Sequence, residues 1–392
     1  MSAHLIRLNR RALTVFLLVS LPILILGVAL VLTIGQTRLR DSYGRHLEDV
    51  ARQTASAVDA YVFRRLVDVS LVGRSPDLRR EVALASAQPL KMADVQALDK
   101  AWTAHEATKE RAALLRTPAS RYLADLVAHD RIYHELLLTD RYGRLVAASE
   151  ETSDYYQADE DWWTSAAGGD RSPGVSLTDV RWDDSSRAYA VEIAVPVYEP
   201  DSEVFAGLLK AVVDSRELLA TVGGVQLGAS GEAALLRQNG SIVFSRNISD
   251  PNARFFAVEP VRERADVLVA GGPQTGAHFQ AADAAGTPQI IGIAASQLGR
   301  SYPNVSWVVA VWQSDAELMA PLRLLGWYLL AVVAATVLTM LFGAMYVSLR
   351  LAAPQFAEDL HLVEHAKVSH VGDAEDGEGV TPDSPSSPRL AG

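Results

Sequence analysis

Two long apolar segments constrain this chain more than any other feature. The first, Leu13–Ile34, is a run of 22 residues without a charged side chain, and the second, Leu324–Val347, is of similar length. Each is long enough to cross the roughly 30 Å hydrocarbon core of a bilayer as a helix. The first is too long for a signal-peptide core and lacks a small-x-small cleavage site, which predicts an uncleaved anchor. The sequence therefore predicts a two-span membrane protein.

Composition and charge exclude several classes of function. Arginines flank the first span on both sides, so positive charge alone leaves the orientation open. The net charge of −11 argues against a nucleic-acid-binding surface, and the absence of cysteine excludes disulfide and thiol chemistry. The sequence contains no glycine-rich phosphate loop, no paired-cysteine motif and no HExxH motif. We therefore expect no cofactor and no metal centre.

The region that follows the first span has a helical pattern. Residues 35–74 contain no proline and place apolar side chains at alternating three- and four-residue steps, as in a helix that packs along a seam. The seam consists of Leu47, Val50, Thr54, Ala57 and Tyr61. Its partner is either the same chain or a second subunit. Ser75-Pro76-Asp77 interrupts the pattern, and further helices are predicted over 94–115 and 120–129.

From residue 135 the hydrophobic period changes from helical to alternating, which predicts strands. A hairpin turns at Asp140–Gly143, and the last strand of this region closes on Asp214. The pattern then repeats in shorter form around a second hairpin turn, Asn239-Gly240. The other predicted strands cover 175–182, 188–198, 205–213, 278–281, 288–295 and 304–312. The two regions therefore look like copies of one α+β unit.

The segment Asp154-Tyr-Tyr-Gln-Ala-Asp-Glu-Asp-Trp-Trp163 places three consecutive carboxylates ahead of two tryptophans. Acidic residues in the first turn of a helix complement its dipole, so one interpretation is a helix start followed by core aromatics. The other interpretation is one wall of a small-molecule pocket. The local sequence is compatible with both.

The order of these features resembles the double Cache sensor domain of bacterial transmembrane receptors. The resemblance covers roughly residues 36–320 and is carried by Thr139–Ser149, Asp161–Trp163, Ala194–Val197, Gly207–Asp214 and Trp307–Val311. It implies an α+β fold with a long N-terminal helix and two tandem Cache (PAS-like) modules. Their sheets would be antiparallel, and two transmembrane helices would flank them. It also implies that the sensor region lies outside the cytoplasm.

The resemblance and the composition together imply a domain organisation. We expect a cytoplasmic N-terminus (1–12), a first span (13–34), a long helix (35–74), a membrane-distal module (75–220), a membrane-proximal module (221–320), a second span (324–347) and a cytoplasmic tail (348–392). The tail is acidic and rich in proline and serine, which predicts that most of it is disordered. Its first part, from Arg350 to about His370, resembles the first helix of a HAMP relay without the second.

Amino-acid-binding double Cache domains carry a recurring set of ligand-binding residues in the distal module. Tyr155 and Trp162 match two aromatic positions of that pattern, and Asp183 and Asp214 match its two acids. Trp163 stands where the family has Tyr, Glu160 where it has a carboxylate-binding Arg, and Arg181 where it has a later aromatic. The expected ligand-binding residues are therefore Tyr155, Glu160, Trp162, Trp163, Arg181, Asp183 and Asp214.

The replacement of Arg by Glu160 changes the expected ligand. Arginine binds a carboxylate through two parallel hydrogen bonds, whereas glutamate repels it. Asp183 and Asp214 suit an ammonium group, and tryptophan faces attract cations, so we expect an amine-bearing or cationic small molecule. Arg181 would allow an acid or zwitterion if it turned toward the position of Glu160. A Ca²⁺ ion on the acid cluster is a further alternative, although consecutive acids at a helix start converge poorly on one ion.

The leading hypothesis is a non-enzymatic sensor in the bacterial inner membrane, with its ligand-binding region in the periplasm. It would be a homodimer and would signal through a separate cytoplasmic or membrane protein. One alternative is an envelope scaffold or polysaccharide chain-length regulator, although such proteins are dominated by long helices.

A second alternative is a periplasmic hydrolase that uses Asp183-Asp184 with Glu160 as paired carboxylates. No nucleophile–base arrangement in the sequence supports it. His361-Leu-Val-Glu-His365 matches an inverted zinc-peptidase pattern. It lies in the tail without a third ligand or a folded cleft, which favours an ordinary helix face.

Overall fold

A computed structural model describes residues 2–168, 172–183, 188–248, 253–302 and 304–369. The chain divides into two compact units, residues 1–35 with 321–392 and residues 36–320. The helices are α1 (Ser2–Gly73), α2 (Pro76–Ala87), α3 (Met92–Thr103), α4 (Thr108–Leu115), α5 (Pro118–His129), α6 (Asp161–Ala167), α7 (Arg216–Gly223), α8 (Val258–Gly271), α9 (Leu298–Ser301), α10 (Asp315–Leu318) and α11 (Ala320–Ser369). The strands are β1 (Tyr133–Asp140), β2 (Leu145–Ala148), β3 (Ser176–Leu177), β4 (Arg181–Asp183), β5 (Ala188–Tyr198), β6 (Phe205–Asp214), β7 (Glu232–Arg237), β8 (Ile242–Ser245), β9 (Gly276–Ala282), β10 (Pro288–Ala295) and β11 (Trp307–Ser314).

The first unit is built from the N-terminal part of α1 and from α11. Both helices contain segments long and apolar enough to cross a membrane, within Leu18–Gly73 and Ala320–Tyr346, by length and composition. A Cβ atom on Gly326 would lie 3.8 Å from a methyl group of Leu32, so the two helices are in contact. The HAMP-like stretch and the His361–His365 pattern fall in the C-terminal part of α11, whose side chains are not described, and the tail predicted to be disordered lies beyond it.

In the second unit, residues 36–73 of α1 pack against the sheets of the same chain. The buried side chains on this face recur at three- and four-residue steps and include Leu47, Ala51, Ala55, Val58, Val62, Leu66 and Val69. The predicted seam is therefore partly wrong: Val50 is half-buried and Ala57 is exposed. Leu47, Thr54 and Tyr61 are buried as predicted, whereas Ala51 and Val58 are buried in place of their neighbours Val50 and Ala57. A helix that packs on sheets buries a wider stripe than the narrow seam between two helices.

Two antiparallel sheets follow α1, and they have the same topology. We call the sheet of residues 133–214 the distal sheet and that of residues 232–314 the proximal sheet, after the predicted modules. The distal sheet has the order β2-β1-β6-β5-β3, with β4 also paired to β5, and the proximal sheet has the order β8-β7-β11-β10-β9. In each sheet a hairpin is followed by a helix and then by strands that return to the centre. This arrangement confirms the predicted α+β fold with two copies of one unit. It also argues against the all-helical scaffold.

Several elements differ from the sequence-based prediction. The predicted interruption at Ser75-Pro76-Asp77 is confirmed, because α1 ends at Gly73, but a helix that was not predicted, α2, begins at Pro76. Proline suits the first helical position, where its missing N–H costs nothing. The helix expected over 94–115 is two helices, α3 and α4, separated by a turn in which His105 has a φ of +59°. The strand expected over 175–182 is split into β3 and β4, and α8 was not predicted.

Glycines allow the closest approaches between elements. A Cβ atom on Gly207 in β6 would overlap the carbonyl oxygen of Thr139 in β1 and would lie 2.7 Å from a methyl group of Val82 in α2. A Cβ atom on Gly292 in β10 would overlap the backbone of Leu47 and Glu48 in α1. Helix α1 therefore lies directly on the proximal strands, without side chains between the two backbones at this point.

We predict that Gly207→Ala destabilises the distal module by about 1–3 kcal/mol, because the added methyl group forces β1 or α2 to move. The measurement is thermal unfolding of the purified chain in detergent, with Gly174→Ala as the matched control. No atom lies within 4 Å of the position that a Cβ on Gly174 would take. Equal melting temperatures for the two variants would contradict the close approach.

Candidate functional site

The acidic-aromatic segment is held against the β1–β2 hairpin and α3 by its backbone. The N–H groups of Tyr155 and Tyr156 both donate to Oδ1 of Asp99, each at 2.9 Å. The carbonyl oxygen of Tyr155 accepts from the N–H of Leu145 at 3.1 Å, and the N–H of Gln157 donates to the carbonyl oxygen of Gly143 at 2.8 Å. The segment is thus fixed before α6 begins.

Helix α6 starts as the sequence predicts, with Glu160 at the N-cap and Asp161 in the first turn. Trp162 is only 4% exposed and belongs to a buried cluster with Trp102, Leu137 and Leu208, while Tyr155 and Trp163 pack against this cluster from the outside. The Nε1–H group of Trp163 donates to Oγ1 of Thr139 in β1 at 3.1 Å. The interpretation as a helix start followed by core aromatics therefore holds for Trp162.

A partly buried ion pair, whose glutamate side chain is 32% exposed, lies on the sheet face that Trp162 covers. Nζ of Lys210 in β6 is 2.7 Å from Oε1 of Glu192 in β5, and the lysine side chain is only 12% exposed. The same ammonium group lies 5.3 Å from the centre of the Trp162 ring system, within the range of a cation–π interaction. Lys210 pairs directly with Leu137 across the β1–β6 ladder, so both side chains project from the same face of the sheet.

Glu160 lies close enough to this ion pair to be influenced by it electrostatically. Partial burial is the main cause that raises the pKa of the Glu160 carboxyl above its usual value, and the negative charges of Asp154 and Asp159 raise it further. The positive charge of Lys210 lowers that pKa and the negative charge of Glu192 raises it, both by smaller amounts. Glu160, Trp162, Lys210 and Glu192 therefore form one group, which we call the distal charged site.

Asp154, Asp159 and Glu160 also approach one another, with one carboxylate oxygen from each lying within 4.8 Å of the others. Asp154 is already engaged, because its Oδ1 accepts hydrogen bonds from Nε2 of Gln157 at 2.6 Å and from the hydroxyl of Ser153 at 3.0 Å. Asp159 is exposed, and Glu160 is exposed over the residue as a whole although its carboxyl is partly shielded from water. This arrangement is typical of solvated acids at a helix start.

Asp214 is buried at the far end of β6, and its carboxylate is engaged. It accepts hydrogen bonds from the backbone N–H and the Nε of Arg216, at 2.7 and 2.6 Å, and Nε2 of His134 lies 3.3 Å from its Oδ2. Its carbonyl oxygen accepts from the hydroxyl of Tyr61 in α1 at 2.8 Å. Four residues separate Asp214 from Lys210, or about 13 Å along an extended strand.

The two other expected site residues lie on β4, at the edge of the distal sheet. Arg181 pairs with Ala190 and Asp183 pairs with Ala188 of β5. The side chain of Arg181 is exposed, and that of Asp183 lies outside the described residues. The structure thus groups Tyr155, Glu160, Trp162 and Trp163 together, and it places Arg181 and Asp183 on the edge strand β4 and Asp214 at the far end of β6.

Sequence reasoning missed Lys210 and Glu192. Each is a single charged residue within an otherwise apolar stretch of a central strand, Gly207–Val213 and Val191–Val197 respectively. A lone charge in a buried strand is unusual enough to indicate a paired or functional group. That signal was present in the sequence.

The loop between β3 and β4 makes side-chain contacts with strands of the proximal sheet. Asp179, between β3 and β4, forms an ion pair with Arg237 of β7, and its Oδ1 accepts a hydrogen bond of 2.7 Å from the Nε1–H of Trp307 in β11. One residue earlier, the hydroxyl of Thr178 accepts from the backbone N–H of Glu192. The strand that carries Glu192 is therefore linked to the proximal sheet through two consecutive residues.

Among solved structures, the chain is similar to ligand-binding domains of chemoreceptors. These include PctC of Pseudomonas aeruginosa PAO1 in complex with GABA (14% identity, TM-score 0.43, 69% of this chain and 100% of that one). Another is Tlp3 of Campylobacter jejuni in complex with L-norvaline (15% identity, TM-score 0.47, 72% and 95%). A third is CtaA of Pseudomonas fluorescens in complex with L-serine (13% identity, TM-score 0.41, 70% and 99%).

These are proteins of the kind that the sequence resembles. No protein-family model and no curated protein matches the chain.

We predict that Glu160→Gln stabilises the folded chain at neutral pH. A carboxyl whose pKa is raised on folding disfavours the folded state once it is ionised, so removing its charge is a gain above that pKa. The gain should shrink as the pH falls through the raised pKa of the folded state, and it should disappear below the usual glutamate value, where the wild-type carboxyl is protonated in both states. Thermal unfolding of both proteins between about pH 4 and pH 8 measures this difference.

The matched control for this prediction is Asp161→Asn in the first turn of the same helix. It removes a charge that favours the positive end of the helix dipole and should give no gain at neutral pH. A gain of the same size in both variants would mean that the net acidity of the segment, and not the site of Glu160, causes the effect.

Proposed function

We propose that this chain is a membrane-anchored sensor whose distal module binds a small amine-bearing molecule at the distal charged site. The observation that carries the proposal is the Lys210–Glu192 ion pair beneath Trp162. Lys210 is largely and Glu192 partly removed from water, which is costly, and a well-packed apolar pair at such a position is often at least as stable. A pair of charges on the covered face of a sheet is therefore better explained by recognition of a polar ligand than by stability.

The chemistry of the site suits an ammonium group. Glu160 and Glu192 supply carboxylate acceptors, and the faces of Trp162 and Trp163 supply cation–π attraction. Lys210 adds the positive charge that Glu160 cannot provide, so a ligand carboxylate could be bound by the lysine. The favoured ligand class is thus a small amine, with or without a carboxylate. Tyr155, Arg181, Asp183 and Asp214 are proposed as further contacts around it.

The location and the output are part of the same proposal. The two apolar helices would anchor the chain in a bacterial inner membrane, with residues 36–320 in the periplasm. The sensor would be a non-enzymatic homodimer that acts on a separate cytoplasmic or membrane signalling protein. Contacts of α1 with both sheets, together with the Asp179 link, support transmission of a change from the distal to the proximal module.

Ligand binding would act by shifting populations. A ligand that bridges Glu160 of α6 and Glu192 of β5 favours the arrangement in which α6 is closed on the sheet. Its effect on the equilibrium equals its difference in affinity for the two arrangements. Glu192 is linked through Thr178 and Asp179 to the proximal strands. Closure of α6 would therefore shift the positions of strands in the proximal module.

A thermal-shift screen of the purified chain in detergent tests the proposal, with amines, amino acids, organic acids and divalent cations as probes. A ligand at one hundred times its dissociation constant stabilises the folded state by about 2.7 kcal/mol. We expect amines to raise the melting temperature and Glu192→Gln to weaken the effect. Lys210→Met should weaken binding of amino acids more than binding of simple amines.

The matched control is Lys109→Met, which removes an exposed lysine of α4 and should leave all binding unchanged. A ligand whose effect survives both Glu192→Gln and Lys210→Met would bind elsewhere and would contradict the assignment of the site. No shift with any probe would favour a protein-binding or scaffolding role for the distal module.

A further inference from the structure

A histidine of the proximal module lies between two carboxylates of α1. Nδ1 of His278 in β9 is 3.0 Å from Oε2 of Glu48, and its Nε2 is 3.3 Å from Oδ1 of Asp41. The histidine side chain is 28% exposed, and a cleft of about 420 Å³ bordered by Thr37, Arg40 and Asp41 opens at the same place. Water, and therefore protons, can reach this histidine.

We infer that His278, Asp41 and Glu48 form a proton-dependent clamp between β9 and α1, which makes the proximal module responsive to external pH. A neutral imidazole carries one N–H donor and one lone pair. If Nδ1 donates to Glu48, the lone pair of Nε2 faces the carboxylate of Asp41 and the two repel each other. Protonation turns both nitrogens into donors, and both contacts become charge-assisted hydrogen bonds.

The other charged groups around the ring fit this assignment. On α1, Arg45 forms an ion pair with Asp41 and is the main cause that holds the pKa of the Asp41 carboxyl below its usual value, with a smaller contribution from His278. Arg40, which borders the same cleft, is engaged in a bidentate pair with Asp315 of α10, at 2.7 and 2.9 Å. On β10, the residue paired with His278 is Gly292, which brings no charge. The carboxylates of Asp41 and Glu48 are thus the acceptors that the ring faces.

The backbone geometry gives the clamp little freedom. Asp41 and Glu48 are seven residues apart, so they lie on the same face of α1 two turns from each other. Between them, Gly44 lies so close to the imidazole that a Cβ atom there would overlap the ring. A Cβ atom on Gly276 would overlap the side chain of Glu48. The protonated ring therefore fastens two turns of α1 to β9, and loss of the proton replaces one attraction by a repulsion.

The position of the clamp gives it a role that needs no small molecule. Residues 41–48 lie in α1 a few residues after the apolar segment, and the Arg40–Asp315 pair joins α1 to the element that precedes α11. Acidification would tighten the start of the sensor region, and alkalinisation would loosen it. This input is separate from the distal charged site, so either proposal can fail without the other.

Hydrogen–deuterium exchange of the full chain in detergent tests the clamp. After correction for the intrinsic effect of pH on exchange, peptides covering 41–48 and 276–282 should exchange about tenfold more slowly at about pH 5.5 than at about pH 8. In His278→Gln this difference should disappear. In Asp41→Asn the pH difference should be smaller than in the wild type, because an amide can accept from or donate to Nε2 at either pH and only the contact with Glu48 still strengthens on protonation.

The matched control is His129→Gln, since His129 is an exposed histidine whose ring contacts the carbonyl oxygen of Asp125 in its own helix. It should behave as the wild type. A pH difference that persists in His278→Gln would overturn the clamp. Protection at pH 8 that zinc restores and a chelator removes would also overturn it, because a metal ion and not a proton would then bridge Nε2 and Asp41.

Discussion

The packing of α1 on both sheets is the interaction on which the rest of this structure depends. Its buried face covers strands of the distal module at one end and strands of the proximal module at the other. Polar anchors fix its position: Tyr61 donates to the carbonyl oxygen of Asp214, and Asp59 accepts from the hydroxyl of Ser296 and the N–H of Gln297. Burial raises the pKa of Tyr61 to about 12, so this donor keeps its proton at all ordinary pH values. A single helix thus makes fixed contacts with both modules.

The two modules share a strand order but fill the covered face of the sheet differently. In the proximal module, aromatic side chains of Phe255, Phe256 and Trp312 pack against one another and close the space under α8. In the distal module, the corresponding face carries Lys210 and Glu192 under Trp162. The same architecture therefore supports a packed core in one copy and a charged site in the other, which is why the proposed ligand is assigned to the distal copy.

Local signals in the sequence predicted most of the fold. Alternating apolar residues and the turn glycines Gly143 and Gly240, which have φ values of +84° and +80°, predicted both hairpins. Contacts between distant residues could not be predicted in this way. Which residues of α1 are buried besides Leu47, Thr54 and Tyr61 depends on the strands beneath the helix, and the pairing of Lys210 with Glu192 depends on strand register. The grouping of Tyr155, Glu160 and the two tryptophans could be predicted because these residues are neighbours in the sequence. The contacts of Asp214 with His134 and Arg216 could be seen only in the three-dimensional structure.

The contacts of α1 also determine the order in which this protein can fold. Asp59 meets Ser296 across 237 residues of sequence, and Arg40 meets Asp315 across 275. During synthesis, the apolar face of α1 therefore lacks its final partners until nearly the whole region between the two apolar helices has been made. Contacts of such long range form slowly, and an exposed apolar helix face is prone to pair with other chains in the meantime. The helix that joins the two modules in the folded protein is thus the part most exposed to aggregation during synthesis.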